Sequence, residues 1–176
     1  MILAPAQRID LIVDVVADVG ETAHILQFGR EEAFSQVTFE VVGWGSKNRR
    51  DAPLALPPND HRMVDLSEAT MLSLSMEGGA MGRMRSASLG GELKPIGEIV
   101  EAGYFWSFNG KVDGINGDPL ARLDRGQNVR LKIVNDTAFP HAMHLHGMHF
   151  REIERNGVPV DGPWRDTTVM APDDRV

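Results

Sequence analysis

The tightest constraint on the fold lies in residues 129–150, where a strict alternation of apolar and polar residues runs into a proline corner and then into a histidine cluster. In VRLKIVN, Val129, Leu131 and Ile133 alternate with Arg130 and Lys132, the period of a half-buried strand. Asn135, Asp136, Thr137 and Pro140 then supply turn chemistry, since proline has no N–H for a ladder. The next segment, FPHAMHLHGMHF (Phe139–Phe150), holds four of the six histidines. Imidazole is the commonest side-chain metal ligand, and the chain has no cysteine to compete with it. On a strand, His144 and His146 share one face with Leu145 on the other, while His141 and His149 sit at odd spacing and face away from them. One run of backbone could thus serve two metal positions, or one position whose third ligand arrives from a loop. His24 and His61 have no histidine neighbour in sequence and read as packed or solvated residues.

The rest of the chain also reads as β. Arg8–Val16 alternates Ile9, Leu11, Val13 and Val15 against Arg8, Asp10 and Asp14, and predicts a strand. Ala23–Phe28 and Val37–Gly43 are further strand candidates between turn formers, followed by a Pro-rich loop around Pro57, Pro58 and Asn59. Met63–Met76 places Leu72, Leu74 and Met76 on one face. Residues 77–95 are rich in Gly, Ser and Met and read as a linker, with Met76, Met81 and Met84 as a weaker Cu(I)-loading alternative. Asn156-Gly157 predicts a hairpin turn and Thr167–Pro172 a last strand. Eighteen glycines and ten prolines suit short strands joined by many turns, and no long helical period competes. The expected organisation is residues 1–76 as a partial β domain, 77–95 as a linker and 96–176 as a second β domain with the histidine motif.

Charge and hydropathy exclude several classes. A net charge of −7 offers no basic field for a phosphate backbone, so nucleic acid is not an expected partner. No apolar run approaches the ~20 residues that span a bilayer, and MILAPAQRID lacks the basic start and apolar core of a signal peptide. The absence of cysteine removes disulfides without fixing a compartment, so the location is open.

HxxHxHG followed by an aromatic resembles the first histidine motif in the last cupredoxin domain of the laccase-like multicopper oxidases. The segments Trp106–Gly114, Leu123–Thr137 and Asn156–Pro172 follow that domain's order, and Leu3–Val15 is similar to the end of the preceding domain. The resemblance implies an all-β, cupredoxin-like Greek-key β-sandwich, incomplete at its C-terminal strands. It implies that His141 matches a ligand of the type 1 copper, and His144 and His146 match ligands of the type 2 and type 3 coppers. The family also needs a cysteine in a later HCH motif and HxH pairs from a first domain. Neither is found in this sequence, so the four-copper machinery is not expected from this chain alone.

Two functions follow as expectations. Imidazoles with an open position could hold zinc or copper. With zinc, a metal-bound water of pKa ~7 would allow hydrolysis of small activated esters or phosphoesters. His141, His144 and His146 are the candidate metal ligands, and Asp136, Asp166 and His149 the candidate proton-transfer or supporting groups, since carboxylates orient metal-bound imidazoles. The alternative is a copper-binding, laccase-type oxidoreductase fragment, inactive alone or completed by the missing segments. An open sheet edge left by absent strands would favour a homo-oligomer.

Overall fold

A computed structural model of the chain describes residues 3–46, 48, 51–78, 81–112, 114 and 117–176. Among these residues the strands are β1 (Thr22–Phe28), β2 (Ala33–Glu40), β3 (Thr70–Gly78), β4 (Ser86–Leu89) and β5 (Glu92–Pro95), followed by the helix α1 (Ile96–Glu101). Then come β6 (Trp106–Phe108), β7 (Lys111–Val112), β8 (Val129–Asp136), β9 (His141–His144) and β10 (Phe150–Arg151). The last are β11 (Glu154–Arg155), β12 (Val158–Pro159), β13 (Trp164–Arg165) and β14 (Thr167–Met170). The expected all-β class is therefore observed. No described helix is long and apolar enough to cross a membrane. Residues 1 and 2, at the start of the stretch read for a signal peptide, lie outside the described residues.

The chain divides into two compact units, Met1–Arg8 with Arg62–Val176, and Ile9–His61. The divisions expected at 76/77 and 95/96 both fall inside the larger unit. In the smaller unit β1 and β2 form an antiparallel hairpin, with a register irregularity between Ile25 and Leu26. The strand expected at Arg8–Val16 is absent, and Leu11, Val13 and Val15 are exposed. Alternation alone does not make a strand: the backbone needs a ladder partner and the apolar face needs a cover. The buried hydrophobic residues of the described chain are Ala4, Met76, Met84, Ala87, Ile99, Val112, Ile133 and Met170, all of the larger unit.

The larger unit is built on a six-stranded sheet of order β5-β4-β7-β6-β3-β8. Its longest ladder is the parallel pairing of β3 with β8, in register from Thr70↔Val129 to Glu77↔Asp136. Leu72, Leu74 and Met76 share one face, as the alternation predicts, and Leu74 and Met76 join Leu131, Ile133, Met143, Met170 and Val176 in one apolar cluster. Met143 and Met170 come from the separate antiparallel pair β9–β14, so this cluster is what seats the histidine strand against the main sheet. Complete burial of Met170 is worth roughly 1.5–3 kcal/mol relative to exposure. Along β8, Ile133 and Val176 exchange backbone hydrogen bonds and Arg175 bridges to Val134, so the last residues pair along that edge.

Residues 77–95 hold secondary structure where the sequence suggests a linker, although Gly79 and Ala80 lie outside the described residues. β4 and β5 pair as a hairpin turned at Gly90-Gly91, both with positive φ. Met84 and Ala87 pack with Ile99 and Val112 in a second core cluster. The strand is made of small residues, Ser86, Ala87 and Ser88, and it escapes a reading that looks for branched ones. Met76 and Met84 are buried in different clusters and Met81 is exposed, so the three thioethers do not form a metal-loading group.

The Asn156-Gly157 hairpin forms as expected. Both residues have positive φ and β11 pairs with β12 across them.

Candidate metal centre

The corner between β8 and β9 is tied by Asn135, a fully buried side chain. Its Nδ2 donates to the carbonyls of Phe139 (2.9 Å), Met170 (3.1 Å) and Ala171 (2.9 Å). Its Oδ1 accepts from the Thr137 N–H at 3.1 Å and the Thr137 hydroxyl at 2.8 Å. One amide thereby fixes the corner and clips it to the end of β14. Thr137 Oγ1 lies 2.7 Å from His141 Nε2, and Trp106 meets the His141 ring edge-on at 5.2 Å. Burial holds the His141 imidazole below its ordinary pKa, which favours the neutral form that ligates metals. Beyond Trp106 lies an apolar pocket of about 240 Å³, lined by Met81, Phe105, Trp106, Ala138 and Phe139 with Gly78 and Gly82.

β9 ends at His144, earlier than expected, and His146 sits in the turn that follows, where Gly147 takes a φ of 71°. The two rings nevertheless approach each other, with centroids 5.0 Å apart at 62°. His144 lies opposite Thr167 in the β9–β14 ladder, and its Nδ1 is 2.8 Å from the Thr167 hydroxyl. Thr167 donates in turn to Asp166 Oδ1 at 2.9 Å, and Arg8 bonds the other carboxylate oxygen. The Arg8 and Thr167 hydrogen bonds hold the Asp166 carboxyl below the ordinary carboxylate range. Asp166 Oδ1 is 3.8 Å from His144 Nδ1, beyond direct hydrogen-bond reach.

The candidate residues thus fall into separate places. His144 neighbours His146 on one side and stands 3.8 Å from Asp166 on the other. His141 shares the inward face of β9 with Met143, by strand alternation, and turns to Thr137 and Trp106. Asp136 forms an ion pair with Arg83 at 3.0 Å. His149 is exposed, beyond the Gly147 turn. His24 bonds Ser35 and Thr38 within the hairpin. Among the described residues no three His, Asp or Glu side chains are grouped closely enough to hold a metal.

Asn135, Thr137, Trp106 and Thr167 were not among the expected site residues. The Asn-Asp-Thr run signals a side-chain-bonded turn, whereas nothing local marks Trp106 or Thr167, whose roles arise from pairing across the fold. The far face of β14 is anchored by Glu152, buried against Arg155 at 2.6 Å and accepting from Thr168 at 3.0 Å. Burial alone would raise the Glu152 pKa, but the Arg155 and Thr168 hydrogen bonds with the Arg155 and Arg165 charges bring it below the ordinary glutamate value.

Residues 93–176, which include all six candidates, match the sequence model of the multicopper oxidase family. Among solved structures, Lac15 from a marine microbial metagenome aligns with a TM-score of 0.54 and 24% identity, over 89% of this chain and 32% of that one. The blue copper oxidase from Nitrosomonas europaea aligns with a TM-score of 0.44 and 21% identity, over 66% of this chain and 35% of that one. The chain therefore spans about a third of the length of either structure. No curated protein matches it. The fold is that of a cupredoxin-like β protein.

Proposed function

Because residues 93–176 are multicopper oxidase-like, we propose that the chain is a copper-binding segment of a laccase-type oxidoreductase, with His144 and His146 at one copper site and His141 at another. The observation that carries this reading is the pair of imidazoles 5.0 Å apart at the end of β9, inside the family-matched region. An all-imidazole donor set suits copper, and a bound copper would supply one-electron redox chemistry. This chain's own residues do the positioning: Thr167 and Asp166 hold the His144 ring, and Thr137 and Trp106 hold the His141 ring.

The family match supports copper and lends nothing to zinc-dependent ester hydrolysis. Asp136 pairs with Arg83, and Asp166 accepts from Thr167 in the support of His144. The 176 residues hold no cysteine for a type 1 thiolate, and two imidazoles leave coordination positions to be filled by other ligands. Completion by a second chain, through pairing at a sheet edge such as the terminal strand β5, is part of this proposal.

The test is titration of the metal-free chain with Cu(II) and with Zn(II), by calorimetry and by electron paramagnetic resonance for nitrogen coupling. The His144→Ala, His146→Ala double variant should lose a copper that His141→Ala retains. Equal copper binding by the double variant and the parent would overturn the reading, and zinc-dependent ester hydrolysis would restore the hydrolytic one.

A further inference from the structure

The hydrogen inventory around His144 carries one step more. A threonine hydroxyl has one proton to give. Thr167 Oγ1 has two neighbours that compete for it: Asp166 Oδ1 at 2.9 Å and His144 Nδ1 at 2.8 Å. Asp166 is paired with the Arg8 guanidinium through its other oxygen, and an ionised carboxylate only accepts. The hydroxyl proton therefore points to Asp166, and only lone pairs of Oγ1 face the ring. His144 Nδ1 must then be the donor.

We infer that Thr167 is a positioning residue that locks His144 in the Nδ1–H tautomer, through the chain Arg8–Asp166–Thr167–His144, and so leaves Nε2 as its metal-binding nitrogen. The nitrogen that ligates a metal is set by the hydrogen bond the other nitrogen makes. Thr167 is suited to this because it is fully buried, its Cα lies opposite His144 in the ladder, and its carbonyl accepts from Gln7 Nε2 at 3.1 Å. The hydroxyl cannot turn away without leaving a buried oxygen unpaired. His146 lies exposed in the turn, off the β9–β14 ladder, so the relay acts on one member of the pair.

This inference rests on the copper reading, yet its first readout needs no metal. Long-range proton–nitrogen correlation spectra of the metal-free chain, recorded above the ordinary imidazole titration range, distinguish the tautomers directly. The parent should show His144 as Nδ1–H. Thr167→Val, nearly isosteric, should shift it toward Nε2–H, and Thr167→Ser should restore the parent pattern. Cu(II) affinity should fall about 10- to 100-fold in Thr167→Val and recover in Thr167→Ser. A parent spectrum showing Nε2–H would overturn the inference with no variant needed, as would a Thr167→Val spectrum identical to the parent. Either result leaves the copper reading standing. Undiminished copper binding in the His144→Ala, His146→Ala variant sinks that reading while leaving the tautomer result intact.

Discussion

Asn135→Ala tests the idea that one amide sets the corner. Five contacts converge on this side chain, but they do not count equally. Nδ2 has two protons for three carbonyls, so it makes two full bonds at a time. Thr137 Oγ1 has a second acceptor at Phe139 O, 3.0 Å away, and can redirect its proton. The uncompensated loss is therefore two donated bonds and the one accepted from the Thr137 N–H. A net hydrogen bond is worth ~0.5–1.5 kcal/mol, and more where a buried partner is stranded, which puts the cost at about 3 kcal/mol. In a chain of this length that corresponds to a fall in Tm of roughly 6–12 °C. Urea unfolding followed by tryptophan fluorescence should show the midpoint falling with the slope unchanged. Asn135→Asp keeps the acceptor but removes both donors and sets a charge among three carbonyls, so it should cost at least as much. A loss below ~1 kcal/mol in Asn135→Ala, or an Asn135→Asp protein as stable as the parent, would refute the assignment.

Met170→Ala removes the side chain that joins β14 to the main sheet and should cost about 2–5 kcal/mol by denaturant unfolding, against less than ~1.5 for Met170→Leu. Glu152 binds its proton less readily folded than unfolded, so its contribution is complete above the ordinary value of 4.5 and is lost as pH falls below it. Stability measured across that range should drop with acid, and Glu152→Gln should flatten the drop. The β1–β2 hairpin, which buries no hydrophobic residue, should exchange its amide hydrogens far faster than the β3–β8 ladder. Light scattering on the eluting chain should report a homo-oligomer if sheet-edge pairing completes the copper sites, and a monomer would remove that part of the proposal.

What was legible in the sequence was local. The β8 alternation and the Asn156-Gly157 turn each express a period or a backbone preference contained within a few residues, and each is found in place. Arg8–Val16 carries the same period-two signal as β8 and forms no strand, because pairing and cover are supplied by distant residues. The hairpin in residues 77–95 was hidden for the opposite reason: its strand residues are small, and what stabilises them is the helix and β7 packed against Ala87 and Met84. At the site, the spacing suggests a strand face shared by His144 and His146, whereas β9 ends at His144 and the two rings meet at the turn that follows; the threonines that hold the rings could be found only through the ladder.

That ladder makes the core and the site one object. In the β9–β14 register, Thr167 faces His144 and Met170 faces His141, so the parity that sends Met143 and Met170 inward also sends His144 toward the Thr167 hydroxyl. A slip of one residue would exchange the two faces, setting His144 against the apolar cluster and Met143 against the Arg8–Asp166 pair. The register is therefore held by the burial of Met170 and by the Asn135 amide on the Met170 and Ala171 carbonyls, both remote in sequence from the imidazole they orient. It follows that Asn135→Ala should not act on stability alone. By loosening the end of β14 it should let the His144 tautomer drift, in a residue it does not touch, in the same direction as Thr167→Val.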